Sequence, residues 1–158
     1  MNAADSSSRA QRRAGFAQVY CAYLPRATRV AYLLVGDRET AEDLVQEAFL
    51  RMAQRFHYIL SPNSVEAYLR RTIINLAHNY HRRRRLEVAL LRRQGSPNNA
   101  DFPDVGEQEQ MWTLLQTLPM KQRAAVVLRF YEDLSEDDVA TLLGTSAKAV
   151  NSLVARAM

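Results

Sequence analysis

The stretch EDLVQEAFL at residues 42–50 decides the fold class, because it shows the clearest helical period in the chain. At 3.6 residues per turn, its apolar side chains fall on one continuous stripe that extends beyond both ends of the stretch. The stripe comprises Ala41, Leu44, Val45, Ala48, Phe49, Met52, Ala53 and Phe56. A second face of the same stretch is acidic and polar with one leucine, and it comprises Asp43, Gln46, Glu47 and Leu50. The period predicts an amphipathic helix over about residues 38–56.

The acidic face stands out because the chain as a whole is basic, with a formal net charge of +4. Arginines are concentrated at residues 82–85 and again at 92–93. Such clusters are typical of proteins that bind a polyanion, either nucleic acid or an anionic membrane surface. Taken alone, however, an acidic helical face is more often simply solvated, and a basic run also occurs in linkers and tails. The order of the segments along the chain has to decide.

Several classes of protein are excluded or disfavoured by what the sequence lacks. The single cysteine, Cys21, cannot form an internal disulfide, and we expect it to be a buried reduced thiol. His57, His78 and His81 lack the spacing of metal ligands, so no metal or cofactor is predicted. No apolar run approaches the ~20 residues of a membrane span, which predicts no membrane insertion and a cytoplasmic location. Because no phosphate loop or nucleophile elbow is present, we predict that the protein is not an enzyme.

Helical periods recur along the chain without strand alternation, which predicts an all-α fold of two small helical domains joined by a flexible linker. We expect a disordered tail at residues 1–14 and a first helix over about 15–35, with a kink or break at Pro25. After a loop at 57–63 containing Pro62, a third helix begins at Ser64 and runs into the arginines. The stretch QGSPNNADFPDVG at 94–106 contains most of the helix breakers. The predicted boundaries are therefore 15–90, 91–106 for the linker, and 107–158.

The second domain carries the pattern of a helix-turn-helix. Pro119 ends its first helix, and the following helix directs Tyr131 inward. Ser135 can cap a short helix, Gly144 supplies a sharp turn, and the last helix begins after Ser146. The exposed side chains of that last helix are small, polar or basic, as suits a DNA groove: Ser146, Lys148, Asn151, Ser152 and Arg156. Similar three-helix packing also occurs in domains that do not bind DNA.

One face of the third helix combines amide and guanidinium side chains. Arg71, Asn75 and Asn79 are spaced i, i+4 and i+8, and Arg82 and Arg83 extend the face toward the basic run. Asparagine can form two hydrogen bonds to a base edge, and arginine binds phosphate or guanine. Nearby rings could stack on an unpaired base, namely those of Tyr68, His78, Tyr80 and His81. A solvated polar face with a basic end is an equally good explanation of this helix by itself.

The succession of segments resembles the extracytoplasmic-function sigma factors of the sigma-70 family, in particular those of actinobacteria. The segments are AEDLVQEAFLR at 41–51, AYLRRTIINLA at 67–77 followed by the arginines, QRAAVVLR at 122–129, YEDLS at 131–135 and VATLLG at 139–144. The resemblance covers about residues 16–158 and is interrupted by the linker. Several segments in the right order are far more specific than any one of them.

The resemblance implies an alternative-sigma transcription initiation factor. Residues 15–90 would be sigma domain 2, and residues 107–158 would be sigma domain 4. The implied partners are core RNA polymerase, promoter DNA and, as is common for such proteins, an anti-sigma factor. The contact with the clamp of the largest polymerase subunit would be made by Asp43, Gln46, Glu47 and Leu50.

The resemblance also divides the DNA-binding residues between the two promoter elements. The −10 element would be bound by Arg71, Asn75, Asn79, Arg82 and Arg83, with the 57–64 loop helping to melt it and hold a flipped base. The acidic linker would thread toward the polymerase active site. The −35 element would be read by Ser146, Lys148, Asn151, Ser152 and Arg156. Many members carry Lys-Ser-Arg where this chain has Asn151-Ser152-Leu153, and if Met158 is the native end we expect weak −35 binding.

Two other classes of function compete with this interpretation. A stand-alone helix-turn-helix regulator would explain residues 107–158 but would leave the acidic face of residues 42–50 without a role. A recombinase-like enzyme with a helix-turn-helix tail would need a nucleophile beside an arginine cluster, and no constellation in the sequence gathers one.

Overall fold

The computed structural model describes residues 3–56, 62–93 and 107–158, and every regular element within these ranges is helical. The N-terminal half consists of α1 (Ala3–Val35), α2 (Arg38–Arg55) and α3 (Pro62–Arg93). The C-terminal half consists of α4 (Glu107–Thr117), α5 (Met120–Val126), a π-helical turn (Val127–Tyr131), α6 (Glu136–Leu143) and α7 (Ala147–Ala157). The predicted all-α fold is confirmed. The loop residues 57–61 and most of the predicted linker, residues 94–106, lie outside the described residues.

Helix α1 differs from its prediction at two places. It begins at Ala3, so the predicted disordered tail is wrong for residues 3–14, where an i,i+4 ion pair joins Asp5 and Arg9. It also continues through Pro25, where a kink or break was predicted. Proline leaves the carbonyl of Cys21 without its helical donor, and both residues are exposed, so water can hydrate that carbonyl. The prediction that the Cys21 thiol is buried is therefore wrong.

A tight turn at Gly36 and Asp37 separates α1 from α2. Gly36 has a φ of 83°, in the left-handed region that glycine adopts without a steric penalty. Asp37 caps α2, because its Oδ2 accepts hydrogen bonds from the Thr40 hydroxyl at 2.6 Å and the Thr40 amide at 2.8 Å. These two bonds favour the carboxylate and lower the pKa of Asp37. Helix α2 consequently begins where the sequence predicted.

The three N-terminal helices bury their apolar stripes against one another. The α2 stripe is buried as predicted except for Ala53, which is exposed, and Phe56, which is half-buried. Aromatic edges join α1 to α2, with ring centroids 4.8 Å apart for Tyr20 and Phe49. Helix α3 begins two residues before the predicted start, because Pro62 fits the first turn of a helix, where no backbone donor is needed.

The π-helical turn after α5 changes which side chains face inward. The Glu132 amide donates to the Val127 carbonyl five residues earlier, at 3.0 Å, so this turn holds one residue more than an α-helical turn. The wider turn shifts the register of the residues at its end. Tyr131, which the sequence placed inside, is 42% exposed, and Glu132 is buried instead.

Helices α6 and α7 form the predicted helix-turn-helix. Ser135 caps α6 by accepting from the Asp138 amide at 3.1 Å, and Ser146 caps α7 by accepting from the Ala149 amide at 3.2 Å. Gly144 makes the turn between them at a φ of 63°. The buried Val139 and Val150 lie in the hydrophobic core on the inner sides of the two helices.

The two halves of the chain pack together through a set of contacts that we call the junction: those of α1 and α3 with α4, α5 and the π-helical turn. At its centre the Arg123 side chain of α5, only 5% exposed, donates to backbone carbonyls of both halves. Its Nη1 donates to the Leu34 carbonyl at 2.6 Å, and its Nε donates to the Leu115 carbonyl at 2.8 Å. Gln116 adds a hydrogen bond from its Nε2 to the Leu33 carbonyl at 3.1 Å.

His81 of α3 shares the Leu34 carbonyl with Arg123. Its Nε2 lies 2.7 Å from that oxygen, which can only accept, so this nitrogen carries the proton and donates it. Arg123 Nη1 is 3.1 Å from the same nitrogen, and because both groups are donors we interpret this approach as a contact without a hydrogen bond. Burial lowers the pKa of His81, and the charges of Arg123, Arg85 and Arg84 lower it further, although the bond to Leu34 opposes them.

A second polar contact of the junction surrounds Glu132, whose side chain is 2% exposed. Its Oε1 accepts from Arg26 Nε of α1 at 2.9 Å, and its Oε2 accepts from Arg70 Nε of α3 at 2.6 Å. The hydrogen bond with Glu132 is the largest cause of the raised pKa of Arg26. An aromatic stack of Tyr32 on Trp112, with centroids 5.6 Å apart, completes the junction.

We expect acidification to destabilise the fold through His81. A lowered folded pKa means that the unfolded chain binds the proton more readily, so the stabilisation is complete above the ordinary pKa of 6.5 and is lost as the pH falls toward the folded value. Thermal unfolding between pH 7.5 and 5 should show a falling Tm, and His81→Gln should flatten this dependence. His78→Gln is the control that retains His81. An equal loss of Tm in both variants would contradict the assignment.

Candidate partner and nucleic-acid interfaces

The acidic face of α2 is on the surface of the N-terminal half, as the period predicted. Asp43 and Gln46 are exposed, and Leu50 is 62% exposed although it is a large apolar side chain. Glu47 is partly covered and pairs with Arg51 one turn later, with Arg51 Nε 2.8 Å from Oε1. An exposed leucine among carboxylates and an amide provides both apolar area and charge complementarity, which suits a protein partner.

The polar face of α3 is also exposed. Arg71, Asn75, Asn79, Arg82 and Arg83 all lie on the solvent side, while Ile73, Leu76 and Ala77 are buried on the other side. The structure therefore brings the five predicted −10 residues onto one rigid helix, and their side chains are available for contact. No single pocket gathers all five.

A basic cleft between α2 and α3 adds residues that the sequence reasoning missed. Arg51 and Arg55 of α2 face Tyr68, Arg71 and Asn75 of α3 across it. Guanidinium groups beside an aromatic ring suit a single strand of nucleic acid, because they combine phosphate attraction with base stacking. The two α2 arginines were missed because periodicity along one helix carries no information about what the neighbouring helix presents. An i,i+4 arginine pair at the end of α2 was the available signal.

The predicted stacking rings separate into two groups. Tyr68 lines the basic cleft, and His78 lies beside Asn75 in a different cleft. His81, by contrast, is turned into the junction, where Tyr80 packs on its edge with centroids 5.3 Å apart. The expectation that His81 stacks on a base is therefore wrong, because its ring is held by the Leu34 carbonyl.

On α7 the five predicted −35 residues are exposed, but three of them already make hydrogen bonds within the protein. Ser146 caps the helix, Asn151 Nδ2 donates to Glu136 Oε2 at 2.8 Å, and Ser152 donates to the Lys148 carbonyl at 3.1 Å. The charged ends of Lys148 and Arg156 extend from the exposed side. This arrangement favours phosphate attraction by the two cations, with Asn151 oriented by Glu136.

Within the part of the chain that the structure describes, no cluster of His, Cys, Asp and Glu could hold a metal ion. Among the same described residues, no helix is long and apolar enough to cross a membrane.

Known families match both halves of the chain. Residues 19–87 match Sigma-70 region 2, and residues 108–158 match Sigma-70, region 4. The RNA polymerase sigma-E factor of Streptomyces coelicolor is 36% identical over 131 residues, which cover 82% of this chain and 74% of that protein. The protein of the same name from Streptomyces avermitilis is 34% identical over 131 residues, with 82% and 73% covered.

A solved structure shows the same fold. It is the co-crystal structure of the sigma factor RpoE with the anti-sigma factor NepR from Bartonella quintana. The TM-score is 0.69 with 23% identity, and the match covers 90% of this chain and 91% of that chain. Together with the two family matches and the Streptomyces relatives, these observations assign the chain. It belongs to the extracytoplasmic-function group of the sigma-70 family of RNA polymerase sigma factors, and it is an alternative sigma factor of transcription initiation.

Proposed function

We propose that three exposed faces of this sigma factor divide the work of promoter recognition: α2 docks on core RNA polymerase, α3 with the basic cleft binds the −10 element, and α7 binds the −35 element. The observation that carries the proposal is the exposed Leu50 at the centre of an acidic face, because nothing within the described chain accounts for it. The protein has no catalysis of its own and acts in the cytoplasm, where core polymerase and promoter DNA are found.

The α2 dock is proposed to contact the clamp of the largest polymerase subunit through Asp43, Gln46, Glu47 and Leu50. Leucine supplies the apolar contact, and the carboxylates select a basic partner surface. The ion pair between Glu47 and Arg51 supports the geometry, because it holds the Glu47 carboxylate on this side of the helix.

The α3 face is proposed to melt and hold the −10 element. Arg71, Arg82 and Arg83 would attract phosphates, while Asn75 and Asn79 would bind base edges. Extruding a base from the duplex costs a few kcal/mol, and stacking on Tyr68 in the basic cleft would offset part of that cost. The 57–61 part of the loop proposed to assist lies outside the described residues, as do Asp101 and Asp104 of the linker.

Helix α7 is proposed to enter the major groove at the −35 element. Lys148 and Arg156 would position the helix on the phosphates, and Asn151 and Ser152 would face the bases from its middle. Ser146 would contribute from the N-terminus of the helix, where the backbone amides favour a phosphate. An anti-sigma factor is a further proposed partner, since the similar Bartonella quintana sigma factor was crystallised with one.

Reversing one charge on the α2 face should weaken the polymerase complex. Asp43→Arg should reduce affinity for core RNA polymerase about tenfold, because attraction is replaced by repulsion at the contact. Titration of labelled protein with core polymerase measures the change. The matched control is Glu42→Arg, an equal charge reversal at the adjacent position, where the Arg38 pair is exposed and contributes little to stability. Equal losses in the two variants would contradict the assigned face, and tight promoter binding without any core association would favour a stand-alone regulator.

Removing the α3 amides should impair promoter opening after polymerase has bound. Asn75→Ala and Asn79→Ala should each raise the free energy of open-complex formation by about 1–3 kcal/mol, the size of a lost base contact. Permanganate footprinting of the −10 region reports the melted fraction. Gln18→Ala, which shortens an exposed amide on α1, should leave that fraction unchanged. Unaltered melting in both asparagine variants would count against the −10 role of this face.

The −35 contact of Lys148 should be electrostatic and independent of base sequence. Lys148→Ala should weaken holoenzyme binding on all promoters alike and reduce the slope of log K against log salt by about 1. Binding measured over a range of salt concentrations tests this expectation. Lys121→Ala on α5 removes the same charge elsewhere and serves as the control. A loss confined to some −35 sequences would show that Lys148 reads bases.

A further inference from the structure

The two proposed DNA-binding faces share one cleft of about 230 Å³. Its first wall belongs to α3 and includes Asn75 and His78. Its second wall belongs to the helix-turn-helix and includes Gly144, Thr145 and Leu153. The −10 face and the turn that presents the −35 helix are therefore directly opposite each other. We call this the closed arrangement.

Promoter geometry requires a much larger separation. The −10 and −35 elements are about 25 base pairs apart by their names, which corresponds to roughly 85 Å of duplex at 3.4 Å per base pair. Two faces that line a single small cleft cannot reach both elements at once. Moreover, a melted strand on Asn75 would have to share its space with the helix-turn-helix.

The junction that holds the closed arrangement is largely polar. Arg123 reaches the Leu34 carbonyl, Gln116 reaches the Leu33 carbonyl, and Glu132 pairs with two arginines of the other half. Charged groups withdrawn from water recover their hydration when such an interface separates, so the net stabilisation is smaller than the contacts suggest. A polar junction of this kind can hold the two halves and still open reversibly.

We infer that the free protein holds itself in the closed arrangement through Arg123 and Glu132, and that core RNA polymerase opens it before both promoter elements can be bound. This inference rests on the proposed function. The α2 face supports the order of events, because Asp43, Gln46 and Leu50 are exposed while the junction is formed. Polymerase can therefore dock on the closed protein and then capture the open one, as a ligand that prefers the less populated state shifts the equilibrium.

Energy transfer between two dyes on this protein tests the opening directly. Cys21 is the only cysteine of the chain and is exposed on α1, and Ala155→Cys on the exposed side of α7 provides the second site. The free, double-labelled protein should show strong transfer, which should fall when unlabelled core polymerase is added. Co-elution with core and unchanged transfer would overturn the closed arrangement alone. Failure to co-elute with core would overturn the proposed function, and this inference with it.

Weakening the junction should open the protein without polymerase. Glu132→Gln keeps the shape of the side chain but removes the charge that Arg26 and Arg70 bind. Transfer in the free protein should fall. The concentration that gives half-maximal run-off transcription should drop about tenfold, as expected when a charge-assisted hydrogen bond no longer opposes opening. The matched control is Glu42→Gln, which removes an equal charge from an arginine-paired glutamate within α2 and should change neither quantity.

A second variant covers the possibility that Glu132→Gln disturbs folding. Arg26 is half-exposed, with 49% of its side chain accessible, so Arg26→Gln breaks the same contact from the surface without altering the core. Circular dichroism should show native helix content, and transfer should fall in the same direction as for Glu132→Gln. If Arg26→Gln folds and both the transfer and the half-maximal concentration stay at the parental values, the inference is overturned.

Discussion

The arrangement of the two halves depends on one buried guanidinium. Arg123 has its charge withdrawn from water, and that is tolerable only because carbonyl oxygens of both halves accept its hydrogen bonds. A buried cation with a missing acceptor would be costly, so the end of α1 and the end of α4 must stay where Arg123 needs them. The constraint reaches α3 as well, because His81 donates to the same Leu34 carbonyl.

The positions of the surfaces outside the junction result from this constraint. Once α1, α3 and α5 are fixed together, the acidic face of α2 points to solvent and the basic cleft lies between α2 and α3. The family assignment gives these surfaces their meaning, since a sigma factor must contact polymerase with one surface and DNA with others. Acidic and basic faces on neighbouring helices keep the two kinds of partner separate, because each repels the other's charge.

Local periodicity was sufficient for much of the fold and for the outward faces of the candidate sites. The α2 stripe, the exposed Asn75 and Asn79, and the capped helix-turn-helix are all predictable from side-chain spacing, which a sequence displays directly. The junction could not be predicted in this way: Arg123 resembles an ordinary surface arginine until the carbonyls of another element surround it. Tyr131 was misplaced for a related reason, because a change from α to π winding alters the period itself. The buried cysteine and the disordered tail failed because composition alone does not say which side of α1 faces water.

The π-helical turn also bears on which changes of chain length this protein can accept. Residues 127–131 hold one residue more than an α-helical turn would need, and the extra residue delivers Glu132 to Arg26 and Arg70. Deleting a single residue there would restore ordinary winding and rotate the rest of the C-terminal half by about 100°, one residue's share of a turn. A short deletion in this segment could therefore leave every helix intact and still uncouple the two halves. Relatives that differ in length at this point should differ in how firmly their halves are held, even where their DNA-facing residues are the same.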